Sequence, residues 1–453
     1  MQFRFKSYSH IPGAILIIGF LVLAGCSKKL SHEGKVVFTQ IPVSSVDVEH
    51  INTIENKYAP SMKIAIAEMD EGLQNINILT SEFSSARSPE ISFDGLMMVF
   101  SGQKDDGDPW QIWKMDLETK EIYQVTESRT NCTDPTWIPN GHIAFSKLVT
   151  DVKALKYHAL YTIGADGCCE ERITFQPHED VNANVLHDGR IIVASRQVYP
   201  KEGPFKYLTI RPDGTKAEVF YLANDMSNKI SKAVENEDGL VLFSEHDAMN
   251  SINFSRPLHT KNSIELKPDD LINSIFLYEK NELLISIKKQ VERSYGLALI
   301  NLEHPAEFSF YYNNSEYHAM EAAIVRSRAT PRNLPSRVNH EMNSGYFFSM
   351  NVDASDIVAQ GKTTKVQVLG MNDMIGEASV SEDGSFYLKL AADRPVRLQT
   401  LDEKGKVLRG PSSWMWVRPN ERRGCAGCHQ DREISPENIV PKAMEKAPIT
   451  MIR

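Results

Sequence analysis

The sequence predicts an all-β protein, a β-propeller of about six blades followed by a small antiparallel β domain. The first observation is a repeat. A short apolar stretch, an Asp-Gly or Asn-Gly pair and a second apolar stretch recur as SPEISFDGLMMVFSG (Asp94-Gly95), DPTWIPNGHIAFSK (Asn140-Gly141), VNANVLHDGRIIVASR (Asp188-Gly189) and KAVENEDGLVLFSE (Asp238-Gly239). INSIFLYEKNELLISIK is a weaker fifth copy in which Asn281-Glu282 replaces the glycine pair. Such pairs between apolar runs mark hairpins, because a type I′ turn needs positive φ at both central residues. The second observation is the period: successive turns lie 46, 48, 50 and 43 residues apart, the length of a four-stranded propeller blade. The third is that the repeat stops after His318, where shorter alternating runs take over with hairpin signals at Asp383-Gly384 and Lys404-Gly405.

From the N-terminus, MQFRFKSYSHIPGAILIIGFLVLAGCSKK places Arg4 and Lys6 before an apolar run, Ile11 to Leu23. The run is shorter than the roughly 20 residues that span a bilayer and has the size of a secretory h-region; an uncleaved membrane anchor is the alternative. Leu23-Ala24-Gly25-Cys26 resembles the lipobox of bacterial lipoproteins. That resemblance implies a signal peptide over 1–25, a lipid on Cys26, a tether over 26–33 and attachment to the cell envelope. Ser27 in place of aspartate implies the outer membrane, on its periplasmic or surface face. Several acyl chains on one residue anchor stably, whereas one chain does not.

Strands at Lys35 to Phe38, Lys63 to Ala67 and Ile76 to Thr80 supply the blade that brings the count to six. After each hairpin a further alternation follows, as in Gln111 to Asp116 with Tyr123 to Thr126, or His158 to Ile163 with Arg172 to Thr174. The propeller is thus expected over 34–318. Residues 319–337, AMEAAIVRSRATPRNLPSR, read as an extended connector. The second domain, over 338–453, holds strands at Gly345 to Asn351, Lys365 to Leu369, Ser385 to Leu390, Arg394 to Leu401 and Lys406 to Leu408.

The 453 residues carry a formal charge of −9 with no basic stripe, which argues against nucleic acid as a partner. His142, His158, His178 and His187 occupy different places in their repeats and read as solvated or core residues, and Trp110 with Trp113 as packing within a blade. Of six cysteines, Cys26 falls in the lipobox and Cys425 with Cys428 in CAGCH. Cys132, Cys168 and Cys169 remain, and permit at most one disulfide, Cys132 with one of the adjacent pair.

The spacing Cys425-x-x-Cys428-His429 is that of a c-type haem attachment site. Each thiol adds across a vinyl group to give a thioether, and the adjacent imidazole meets the iron. A redox dithiol or half a zinc site has the same two cysteines. No second CxxC and no His-x3–5-His lies nearby, and no βαβ setting surrounds the pair. Since c-type haem is attached outside the bacterial cytoplasm, an export signal on the same chain favours haem. One covalent haem c is expected, held by Cys425 and Cys428, with His429 on the iron. The second ligand is open among Met415, Met444, Met451 and His340. Trp414-Met415-Trp416 suits either a haem wall or a β core.

The phrase ISFDGLMMVFSG…QIWKMDL…YQVT resembles TolB-type propeller repeats, which implies fold and no particular function. ATPRNLPSR and the run RPVRLQTLDEKGKVLRGPSSWMWVRPNERRGCAGCH are similar to the middle domain of the hydrazine synthase alpha subunit and its relatives. The R-P-x-E-x-R-x-C-x-x-C-H segment carries that resemblance. Family members join a propeller to such a domain, which attaches haem through CxxCH. Hydrazine synthase alpha has a further domain with a second haem and a tyrosine iron ligand just after the motif. Here QDREISPENIV follows, without tyrosine and with Glu433 near that place. Exchanging an iron ligand changes reactivity, so electron transfer by a lipid-anchored mono-haem cytochrome-like protein, with an unnamed redox or envelope partner, is the leading expectation. The alternatives are a haem-dependent oxidoreductase acting on peroxide or nitrogen compounds, with Asp431, Arg432 or Glu433 beside the iron, and a propeller scaffold in an envelope complex.

Overall fold

A computed structural model describes residues 34–47, 55–223, 226, 229–246, 248–255, 261–267, 270–354, 361–427 and 438–452. Six four-stranded sheets form the first domain. Their inner strands are Ser85–Ile91, Cys132–Ile138, His178–Val185, Val234–Glu235, Leu271–Glu279 and Tyr317–Ile324. Blade 1 combines Val36–Pro42, Lys63–Met69 and Leu73–Ile78 with Tyr317–Ile324, which returns from the far end of the domain to pair with Val36–Pro42. The ring therefore closes with residues from both ends. The propeller runs past residue 318, and the connector begins only after Ile324. This closing strand has no Asp-Gly turn to announce it; its nearly continuous apolar run, Ala319, Met320, Ala322, Ala323 and Ile324, is buried.

The turns follow two geometries. Asn140 and Gly141 both have positive φ, 72° and 69°, as a type I′ turn requires. At Gly95, Gly189 and Gly239 only the glycine is left-handed, and its N–H returns to the residue three before it at 3.0, 2.9 and 3.0 Å. These are type I turns closed by a glycine bulge, the other common short hairpin.

Apolar side chains pack between neighbouring blades, as in the cluster of Leu160, Ile173, Val193 and Leu208 joining blades 3 and 4. Blade 4 also buries a titratable pair. Burial pushes the Asp180 carboxyl up to about 7 and the Lys206 ammonium down to about 8. Between the ordinary carboxylate value near 4 and about 7, the native state holds a proton on Asp180 that the unfolded chain has lost. Through this group, stability falls as pH rises across that window and is constant above it. Through Lys206 the unfolded chain holds the extra proton from about 8 upward, so stability recovers in mild alkali. Asp180→Asn should flatten the first limb, narrowing the difference in melting temperature between about pH 5 and about pH 7.5.

The second domain is a two-sheet sandwich. One sheet orders Met374–Ser379, Lys365–Leu369, Arg397–Leu401 and Val407–Arg409, all antiparallel. The other orders Arg422–Gly427, Ser344–Asn351, Phe386–Ala391 and Ile449–Met451. Its two edge strands run parallel to their neighbours, so this sheet is mixed, where the sequence predicts a purely antiparallel domain. The edge strands enter after long excursions, and tight hairpins do not dictate their direction. Phe347, Val366, Val368, Phe386, Leu388 and Leu390 fill the space between the sheets.

Candidate functional site

Cys425 lies on the edge strand Arg422–Gly427, opposite Ser349 of the central strand Ser344–Asn351. Its thiol is half-buried at the margin of the sandwich core. Gly424 precedes it, and a Cβ there would stand 2.2 Å from the Phe348 ring, so glycine is what lets the strand lie down. Cys428, His429, Asp431, Arg432 and Glu433 lie outside the described residues, as does Cys26. The Cys425 thiol is half-buried, so part of it stands at the surface, and the donor set CAGCH fits a covalent haem.

Three residues just ahead fix this strand on the propeller. Arg418 is 2% exposed. Its guanidinium donates to Asp213 O at 2.9 Å and Asp393 Oδ1 at 2.7 Å, pairs with Glu171 and lies 5.1 Å from the centre of the Phe175 ring. Glu421 accepts from the Lys216 and Arg418 amides, both at 2.8 Å, while burial raises its carboxyl. Arg423 donates to Ala217 O and, at 3.1 Å, to Trp416 O. The partners Glu171, Asp213, Lys216 and Ala217 belong to blades 3 and 4.

Trp416 packs into the core between these blades, and Trp414 donates from Nε1 to Tyr199 O at 2.7 Å. The tryptophans therefore dock the second domain on the propeller. Met451 is buried in the sandwich core and Met415 packs against it. His340 is exposed beside Glu171 at 3.6 Å. Met444 is exposed on the 3-10 turn Lys442–Glu445. Cys132 is buried, Cys168 and Cys169 are exposed, and the three are free thiols, so the disulfide that the sequence permits is not formed.

The family model of the hydrazine synthase alpha subunit middle domain matches residues 339–430. Hydrazine synthase subunit alpha of Kuenenia stuttgartiensis is 26% identical over 121 residues, 26% of this chain and 15% of that protein. The solved hydrazine synthase of the same organism superposes with a TM-score of 0.80, covering 91% of this chain and 71% of that one at 17% identity. Over residues 339–430 this chain is similar to the hydrazine synthase alpha subunit middle domain, and its fold is similar to that of the solved hydrazine synthase. TolB from Acinetobacter baumannii is also similar, over 64% of this chain and 66% of its own, with a TM-score of 0.46 and 11% identity.

The structure gives the R-P-x-E-x-R segment a physical meaning that spacing alone does not. Arg418, Glu421 and Arg423 are positioning residues whose partners lie about 200 positions away in sequence. Nothing local could have announced them.

A second feature was legible in the repeat and missed. A cavity of about 980 Å³ runs along the propeller axis, lined by the six inner strands. Ser88, Asp134 and Asn182 sit at bulges in these strands with φ of 54°, 53° and 56°, and each stands six residues before its turn residue Asp94, Asn140 or Asp188. The bulge re-aims a side chain. Glu321 repeats the conformation with φ 53° in the closing strand. In the lining of the cavity Lys57 pairs with Asp134, Arg87 with Glu321, and Glu90 with Lys232 at 2.7 Å and Arg328 at 2.6 Å. Burial alone would raise the Asp134 carboxyl, but Lys57 and Arg87 hold it down to about 2.

Of the four histidines noted in the sequence, His158 and His178 are buried. His158 bonds Glu179 and Tyr58, and His178 bonds Ser195 at 3.0 Å. Among the described residues no cluster of three or more His, Cys, Asp or Glu is arranged to hold a metal ion.

Proposed function

We propose that this chain is an exported, lipid-anchored, mono-haem c-type protein whose main role is electron transfer. The observation that supports this reading is the placement of Cys425, half-buried on an edge strand that Arg418, Glu421 and Arg423 pin to the propeller. Cys425 and Cys428 would hold the porphyrin by thioethers and His429 would meet the iron. The bound group would supply one-electron redox chemistry with a potential tuned by its axial ligands. The chain's own part is orientation. Burying Trp416 and Arg418 against blades 3 and 4 fixes which face of the domain a partner protein meets. An optical spectrum of the purified reduced protein tests the role: a low-spin spectrum indifferent to carbon monoxide is expected, and ready binding of carbon monoxide overturns it.

A second reading, a haem enzyme acting on nitrogen compounds, draws on the likeness to hydrazine synthase subunit alpha. The matched stretch spans 15% of that relative's length, and residues 430–440 of this chain contain no tyrosine. Hydrazine formation from nitric oxide and ammonium by the purified protein would favour it.

Anchoring through Cys26 has its own test. Cys26→Ser should abolish palmitate incorporation and move the exported product from the detergent to the aqueous phase, since the acyl chains supply the membrane affinity. Incorporation that survives the substitution removes the lipid from this account.

A further inference from the structure

We propose that Met444 is the second axial ligand of the haem attached at Cys425, with Ile439 and Val440 forming part of the apolar wall around it; this rests on the covalent-haem reading above. The sheet that carries Cys425 has two ends, and register sorts the candidate ligands between them. Cys425 is level with Ser349, and Ser349 with Phe386. Met451 is level with Leu390 and, through it, with Gly345. Met415 bridges Val396, and Val417 two residues on accepts from the Asp393 amide. His340 precedes Asn343, whose carbonyl accepts from the Ala392 amide. Met415, Met451 and His340 thus gather where the strand Ser344–Asn351 begins, whereas Cys425 sits near where it ends. Five residues of strand separate Ser344 from Ser349, on the order of 17 Å. Met451 also lies on the opposite edge strand from Cys425.

Met444 is at the Cys425 end. The Lys442 amide donates to Asp383 Oδ2 at 2.8 Å and the Ala443 amide to Ser385 Oγ at 2.9 Å. Ser385 directly precedes Phe386, so two strand spacings, roughly 10 Å, lie between this anchor and the cysteine strand. A porphyrin held at one edge would span that gap. Ala443 is buried and holds the turn down, while Met444 is 43%, Ile439 56% and Val440 77% exposed. Three large apolar side chains within six residues, following the CAGCH segment in sequence, stand exposed where a macrocycle would cover them. A thioether on iron favours the reduced state and raises the potential.

The test uses the full chain matured with haem and compares wild type, Met444→Leu and Met451→Leu. Covalent haem, read by peroxidase staining of a denaturing gel, is expected in all three; its absence from the wild type overturns the haem reading itself. With haem present, the wild type should be low-spin with a thioether-to-iron charge-transfer band when oxidised. Met444→Leu should lose that band, become high-spin, bind carbon monoxide when reduced and show a lower potential, while Met451→Leu keeps the wild-type spectrum. An unchanged spectrum in Met444→Leu, or loss of the band in Met451→Leu, overturns the assignment of Met444 and leaves the covalent attachment standing.

Discussion

Replacing Cys425 and Cys428 together with alanine should leave a folded protein without covalently bound haem. The expected loss is complete, because a thioether needs the sulfur and neither alanine can supply a bond. The fold should survive the change. Cys425 is half-buried at the margin of the sandwich core, and its strand is held by backbone pairing with residues 346–351. Peroxidase activity on a denaturing gel reads the attachment, and far-ultraviolet circular dichroism reads the fold. A wild-type protein, produced with a c-type maturation system, that shows no stained band would remove haem from the account altogether.

Arg418→Ala should uncouple the second domain from the propeller. The side chain is buried between them and satisfies Asp393, Glu171 and the Asp213 carbonyl together. Deleting one partner of a buried ion pair costs about 3–5 kcal/mol when the remaining charge stays dry. The Asp393 and Glu171 side chains are 33% and 35% exposed, so water recovers part of that and a loss of about 2–3 kcal/mol is expected. Arg418→Lys should recover little of it, since one ammonium cannot replace a fork reaching three acceptors on two domains. Calorimetry should show one unfolding transition in the wild type and two in the variant, and protease should cut the variant within residues 326–337. An unchanged single transition in Arg418→Ala would show that the tryptophans alone hold the interface.

What the sequence disclosed and what it hid divide along a physical line. Features set by neighbours in the chain were legible. The Asp-Gly and Asn-Gly pairs mark the hairpins of blades 2 to 5, and six four-stranded sheets match the period. The expectation of a haem likewise rests on the local spacing of CAGCH alone. Features set by distant partners were not. The strand Tyr317–Ile324 reads as a connector until its pairing with Val36–Pro42 is seen. The tail strand Ile449–Met451 is three residues long, too short for any periodicity, and pairs parallel to Phe386–Ala391. Trp414 and Trp416 are apolar rings whether they face a haem or a propeller, and only the position of blades 3 and 4 decides. The channel ring occupies an intermediate place. Its polar residues recur at a fixed offset from each turn, yet an alternating strand would point them no differently without the bulge that follows each left-handed residue.

The way the ring closes also has a mechanical consequence. Any load carried through residues 26–33 enters the fold at Val36–Pro42, a strand with hydrogen-bonded neighbours on both flanks, Tyr317–Ile324 and Lys63–Met69. Tension along that strand loads both ladders in shear, so the bonds must fail together, where an edge strand would peel away one bond at a time. Forced unfolding is governed by the unfolding rate, and the Arg87–Glu321 pair ties the closing strand to blade 2 at the same seam. A chain tethered by its N-terminus would thus be gripped at the place where it resists pulling best, and Cys425 lies about a hundred residues beyond the seam in sequence.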